Sequence, residues 1–128
     1  MLDHVGITVA DFARSRRFYR QALAPLGIDV VMEIDPALTG GTSHAGFGAH
    51  GKPFFWIGDA ATAAAGVHVA FVAASRAAVD AFHHAALAAG GTDNGAPGLR
   101  PHYHPHYYGA FVRDPDGHNI EAVCHHPE

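Results

Sequence analysis

The chain has 128 residues, of which 48% are hydrophobic and 16% charged, and its Lys and Arg are outnumbered by Asp and Glu to give a formal net charge of −4. This is the size and composition of one globular domain, with no apolar run long enough to span a bilayer, and the acidic balance excludes nucleic acid as the main partner. Asp3 and His4 interrupt any signal-peptide core and the lone Cys124 allows no internal disulfide, so a cytoplasmic location and a small buried thiol are expected.

Residues 2–10 alternate, with Val5, Ile7 and Val9 on one side and His4, Gly6 and Thr8 on the other, which predicts a strand with one apolar face. Asp11 suits the N-cap of a helix that carries Phe12, Ser15, Phe18, Ala22 and Leu26 along one side and stops at Gly27. The arginines at 14, 16 and 17 read as its solvated face. Short strands are expected over residues 28–34, 44–49 and 52–57, with His50-Gly51 as the turn between the last two. An alanine-rich connection, 58–66, follows.

The pattern then restarts at a constant offset of 64 residues (68 − 4): His4-Val5 matches His68-Val69, Phe18 matches Phe82, Ala22-Leu23-Ala24 matches Ala86-Leu87-Ala88, and Gly27 matches Gly91. In the second strand Val67, Val69 and Phe71 face the helix, while His68, Ala70 and Val72 face away. Ser75 caps a helix with Val79, Phe82, Ala86 and Leu87 as its buried stripe, and Gly90-Gly91 ends it. Residues 92–108 are rich in Gly and Pro and should carry only a short or broken strand. Strands at 109–113 and 118–123 flank the tight turn Asp114-Pro115-Asp116-Gly117, in which both aspartates read as turn formers.

The unit of strand, helix and about three strands therefore occurs twice, predicting an α+β fold of two tandem βαβββ modules. One domain, 1–128, is expected to divide into module 1 at about 1–58, a linker at about 59–66 and module 2 at about 67–125. Neither half is large enough to hold a stable core alone, so the halves should share one. Their sheets are expected to form an incomplete, barrel-like surface around a central cleft, with His4 and His68 among the residues lining it. Exposed sheet edges predict a homodimer.

A histidine at the start of both copies has no packing role to explain it. Aligning the ends of the halves through Gly51 and Gly117 (117 − 51 = 66) sets Phe55 opposite Glu121, a carboxylate in an otherwise apolar strand. A buried carboxylate without a partner costs several kcal/mol, so Glu121 needs water or a cation. His4, His68 and Glu121 together suit one divalent metal ion, with Fe, Mn, Zn, Ni and Co all candidates. The run His102, Tyr103, His104, Pro105, His106, Tyr107 and Tyr108 reads as a loop over the cleft, supplying imidazole or phenol to a substrate. Within it, and beside Glu121, His104 and Tyr108 are the candidate catalytic groups. Phe55, Trp56, His102, His106, Tyr107 and Arg113 are candidate substrate contacts, although Arg113 also reads as a surface charge. His83-His84 reads as a solvated helix flank, and His125-His126 as a tail.

The Leu-Asp-His-Val opening, the His68-Val69-Ala70-Phe71 strand and the run Phe-Val-Arg-Asp-Pro-Asp-Gly-His-Asn-Ile-Glu-Ala-Val at 111–123 resemble the vicinal oxygen chelate superfamily. That superfamily includes glyoxalase I, bleomycin and fosfomycin resistance proteins and extradiol dioxygenases. The resemblance covers essentially the whole chain. It implies a metal site built from strand residues, here His4, His68 and Glu121, and a homodimer. It also implies metal-dependent chemistry on a small substrate with adjacent oxygens, of the lyase/isomerase or ring-cleaving dioxygenase type. A bleomycin-resistance-like protein that binds a small molecule without catalysis is the alternative. Two departures from the family pattern bear on the reaction: Phe55 stands where glyoxalase I places a second carboxylate, and Phe111 where extradiol dioxygenases place a tyrosine.

Overall fold

The computed structural model describes residues 1–60 and 66–128. In the first module β1 (Val5–Val9) leads into α1 (Phe12–Leu23), followed by β2 (Asp29–Ile34), β3 (His44–Ala49) and β4 (Lys52–Asp59). The second repeats it as β5 (His68–Val72), α2 (Arg76–Ala88), β6 (Thr92–Leu99), β7 (Tyr108–Arg113) and β8 (Asn119–Cys124). The modules form two open four-stranded mixed sheets, ordered β1-β4-β3-β2 and β5-β8-β7-β6. In each, the first strand pairs parallel with the last and the remaining neighbours are antiparallel. The expected duplicated α+β fold is thus what the chain adopts, while residues 61–65 of the expected linker lie outside the described residues.

Local chemistry sets the element boundaries. The Asp11 carboxylate accepts from the Arg14 amide and the Ser75 hydroxyl from the Ala78 amide, each at 3.1 Å, satisfying a free N–H at the start of each helix. A single 3-10 turn, Ala24–Leu26, closes α1 before Gly27 turns the chain at φ 77°. The helix buries Ser15, Phe18, Tyr19, Ala22 and Leu23, so Tyr19 joins the stripe that the spacing predicted. In α2, Val79, Phe82 and Ala86 are buried, but Leu87 is 37% exposed rather than inside. β6 is longer than expected, although its register breaks between Asp93 and Gly95 and again between Gly95 and Gly98. It is the outermost strand of its sheet, where Pro97 costs no ladder bond within the sheet.

One apolar core takes residues from both modules, with α1 packed against α2. Phe55 bridges them, its ring 5.0 Å from Tyr19 and 5.2 Å from Phe71, both edge-on. The turn at 114–118 locks this junction. Tyr19 donates its hydroxyl to the buried Asp114, and Ser15 and the Ala10 amide donate to Asp116 at 3.3 and 3.1 Å. The buried His118 accepts from the Val67 amide at Nδ1 (3.3 Å) and donates from Nε2 to the Thr8 carbonyl at 3.1 Å. Asp114 and Asp116 therefore fasten module 2 to the first strand and helix of module 1, besides forming the turn.

The strand register corrects one expectation. Val5 pairs with Phe55 and Gly6 with Trp56, while the duplicated positions Val69 and Ala70 pair with Ile120 and Glu121. Trp56, not Phe55, therefore occupies the place of Glu121, at an offset of 65 (121 − 56). The difference of one residue is a bulge in β4: pairing shifts from Gly48↔Pro53 to Phe47↔Phe55, whereas β7 and β8 pair without interruption. Because side chains alternate, that single extra residue turns Phe55 into the core and Trp56 onto the opposite face. Phe55 is fully buried in the core, and it is also among the residues lining a groove of about 540 Å³.

Candidate functional site

The sheet face turned away from the helices differs between modules. In module 1 a Cβ at Gly46 would fall 2.9 Å from the Trp56 ring and 2.8 Å from Pro53, and one at Gly58 2.8 Å from the His44 ring. Small residues thus leave room for aromatic rings to lie across this face. In module 2 the corresponding strand carries Glu121, whose side chain is 2% exposed, against 51% for the neighbouring His68. His68 Nε2 lies 3.0 Å from Glu121 Oε1, and Tyr107 donates its hydroxyl to Oε2. Burial and the adjacent carboxylate push the Tyr107 phenol well above its ordinary value, so it remains a donor at neutral pH. His68, Tyr103, Tyr107, Phe111 and Glu121 line a small cavity of about 340 Å³.

His4 lies apart. Its Nδ1 donates to Asp3 at 2.8 Å, Lys52 reaches the other Asp3 oxygen at 2.9 Å, and the histidine side chain is 59% exposed. The hydrogen bond from His4, followed by that from Lys52, holds the Asp3 carboxyl below its usual range. Fixing the proton on Nδ1 leaves the Nε2 lone pair outward, the tautomer a metal-ligating histidine needs. His4 and His68 both contribute to a groove of about 540 Å³ that is otherwise largely apolar, with Leu2, Leu26, Ile28 and Val72 among its walls.

The expected meeting of His4, His68 and Glu121 around one ion is not formed within one chain: among the described residues no three His, Cys, Asp or Glu side chains are arranged to hold a metal. The topology explains this, because β1 and β5 are outer strands of separate sheets and do not pair with each other. The His68–Glu121 pair does fit a first-row divalent ion as two of its ligands. Donors about 2.1 Å from an ion and roughly at right angles are about 3 Å apart.

The remaining candidates divide by position. Tyr108 points to the helix side of its strand and donates to Asp80 of α2 at 2.6 Å, so the tyrosine that reaches Glu121 is its neighbour Tyr107. Alternation along the strand makes this exchange. His104 is exposed, accepts from the His106 amide at 3.2 Å and packs beside the rings of His106 and His125. His102 lies against Tyr103, and His106 is exposed. Arg113 is exposed and donates to the Gly117 carbonyl at 3.3 Å, as a surface charge on the turn. Asp3 and Gly109 were not singled out by sequence. The available signal for Asp3 was adjacency to His4; Gly109 pairs with Val123 rather than with Glu121, so no pairing in the sequence pointed to it.

No curated protein matches the chain in sequence. Among solved structures it is similar to a glyoxalase/bleomycin resistance protein from Albidiferax ferrireducens T118, with 31% identity, a TM-score of 0.76 and 99% of both chains covered. A family enzyme from Burkholderia phytofirmans PsJN shares the fold at 22% identity and TM-score 0.68, over 95% of this chain and 96% of that one. Glyoxalase I from Zea mays, as its E144Q mutant, shares it at 24% identity and TM-score 0.70, with 95% of this chain covering 46% of the maize chain. The model of the Glyoxalase/Bleomycin resistance protein/Dioxygenase superfamily matches residues 1–122, the span that holds both modules and both histidine positions. With the duplicated modules, the open sheets and that match in agreement, the chain belongs to the glyoxalase/bleomycin resistance protein/dioxygenase superfamily.

Proposed function

We propose that the protein is a divalent-metal-dependent enzyme acting on a small substrate with adjacent oxygens, as a lyase/isomerase or ring-cleaving dioxygenase. Its site is completed between two copies of the chain. His68 and Glu121 of one copy and His4 of its partner hold the ion, which is Fe, Mn, Zn, Ni or Co. The observation that carries this reading is Glu121, nearly fully buried in an apolar strand and already 3.0 Å from an exposed imidazole. The exposure of His4, with its Nδ1 committed to Asp3, supports a ligand that awaits a second copy. Val72, 78% exposed on the outer strand β5, supports the same pairing.

The bound ion supplies Lewis acidity toward the adjacent oxygens of the substrate. Around it, Asp3 keeps the His4 tautomer fixed, while Tyr103, Tyr107 and Phe111 exclude water and offer flat apolar contacts. The largely apolar groove favours a second reading, a small-molecule binding protein without catalysis. Stoichiometric metal in untagged protein separates the two.

Mixing two inactive variants tests the shared site. His4→Ala and Glu121→Ala are each expected to lose metal, and on subunit exchange the mixed dimer regains one intact site, about a quarter of all sites at equal mixing. Metal analysis that shows no recovery despite exchange rejects the shared site, as does light scattering that shows a monomer at micromolar concentration. No metal binding by the unmodified protein rejects the enzyme reading itself.

A further inference from the structure

Tyr107 sits at the foot of the loop between β6 and β7. The Arg100 amide donates to the Tyr107 carbonyl at 2.7 Å and the Tyr107 amide to the His104 carbonyl at 3.1 Å, so the loop base is pinned by its backbone. The ring is held edge-on between Tyr103 and His125, with centroids 5.1 and 5.2 Å away. Held this way, the hydroxyl meets Glu121 Oε2, the oxygen that His68 does not take. Gly109 lies beneath both groups: a Cβ there would fall 3.1 Å from Tyr107 Cε1 and 3.3 Å from Glu121 Oε2. Its glycine identity therefore has a spatial cause, since any side chain would push the phenol or the carboxylate away.

We propose that Tyr107 is a positioning residue, which captures Oε2 of Glu121 and leaves Oε1 as the single oxygen presented beside His68, with Gly109 as the residue that makes room for it. The inference rests on the metal reading above. A carboxylate free to rotate could bring both oxygens to an ion and fill a position meant for substrate. One whose second oxygen is tied to a phenol cannot do so without breaking that bond. Tyr107 thereby sets how many coordination positions stay open, a role distinct from contact with the substrate.

The test compares the unmodified protein with Tyr107→Phe and Gly109→Ala, using Co(II) as the probe. Both variants are expected to bind Co(II) about tenfold or more weakly, as loss of a group that orients a ligand does. Both should also change the visible ligand-field absorption of the Co(II) protein while their far-ultraviolet circular dichroism stays that of the folded parent. In metal-free protein the carboxyl 13C resonance of Glu121 should shift in each variant, which reads the contact without any ion. An unchanged resonance, or unchanged Co(II) affinity and spectrum, overturns the inference and leaves the metal reading standing. Phenolate ultraviolet absorption that appears on Co(II) loading and that Tyr107→Phe abolishes overturns it too, because Tyr107 would then be a ligand. Failure of the parent to bind any of the candidate metals overturns the metal reading and this inference together.

Discussion

Tyr19 shows how one hydroxyl can connect packing to pH. Burial first, and then the charge of Asp114, push its phenol well above the ordinary value of 10.0, so the folded protein keeps a proton that the unfolded chain releases in alkali. Its contribution to stability is complete below about pH 10 and declines as pH rises through and beyond that value. Tyr19→Phe is expected to cost about 1.5–3 kcal/mol at pH 7, the range for a hydrogen bond to a charged group, and to flatten the alkaline decline. Urea unfolding at neutral and alkaline pH checks both. Trp56 and Phe55 form a second residue-scale comparison, because they are adjacent in sequence and lie on opposite faces. Trp56→Glu should fold and strengthen metal binding by placing a carboxylate on the open face of module 1. Phe55→Glu should lose several kcal/mol by burying an unpaired charge in the core. Thermal melts with metal titration would reject this register if the two variants exchanged behaviour. Residue identities made Glu121 and the two histidines visible from sequence. Trp56 was misplaced because phase, unlike identity, depends on every residue between two markers.

At the scale of elements, strands and helices were legible wherever local chemistry sets them. Asp11 and Ser75 cap as their side chains require, and strict alternation marks β1 and β5. The bulge in β4 leaves no comparable signature, since Pro53 and Phe54 are compatible with either pairing. The β3–β4 turn illustrates a readable element with a local cost. His50 and Gly51 both have positive φ, 55° and 78°, as a two-residue hairpin turn demands, and only the second is a glycine. His50→Asn should raise stability by up to about 1 kcal/mol, because asparagine accepts the left-handed region more readily. A melting temperature that falls instead would show that the imidazole makes a compensating contact.

At the scale of the molecule, helix-side packing between modules places both chemically equipped faces outward. No sequence pattern could announce this, because it depends on how two similar modules meet. The junction also accounts for the tight hold on the turn at 114–118. His118→Ala removes two hydrogen bonds between elements remote in sequence and leaves the Thr8 carbonyl without its imidazole donor. It should lower stability by roughly 1–3 kcal/mol and act mainly by speeding unfolding, if the turn docks after the rate-limiting step. Stopped-flow measurement of both limbs decides this, and a slower folding limb would place the junction in the nucleus. Its bonds join residues 106 and 110 positions apart, Ala10 to Asp116 and Thr8 to His118. During synthesis β1 can pair with β4 once residue 59 has been made, but the bonds from Ala10 and to Thr8 must wait until the turn at 114–118 has been translated. Proteins dominated by such distant contacts fold in milliseconds to seconds and expose unpaired strand edges meanwhile. The same junction that unites the halves in the finished protein is thus among the last to form in synthesis, and a chain released before residue 114 is expected to lack it.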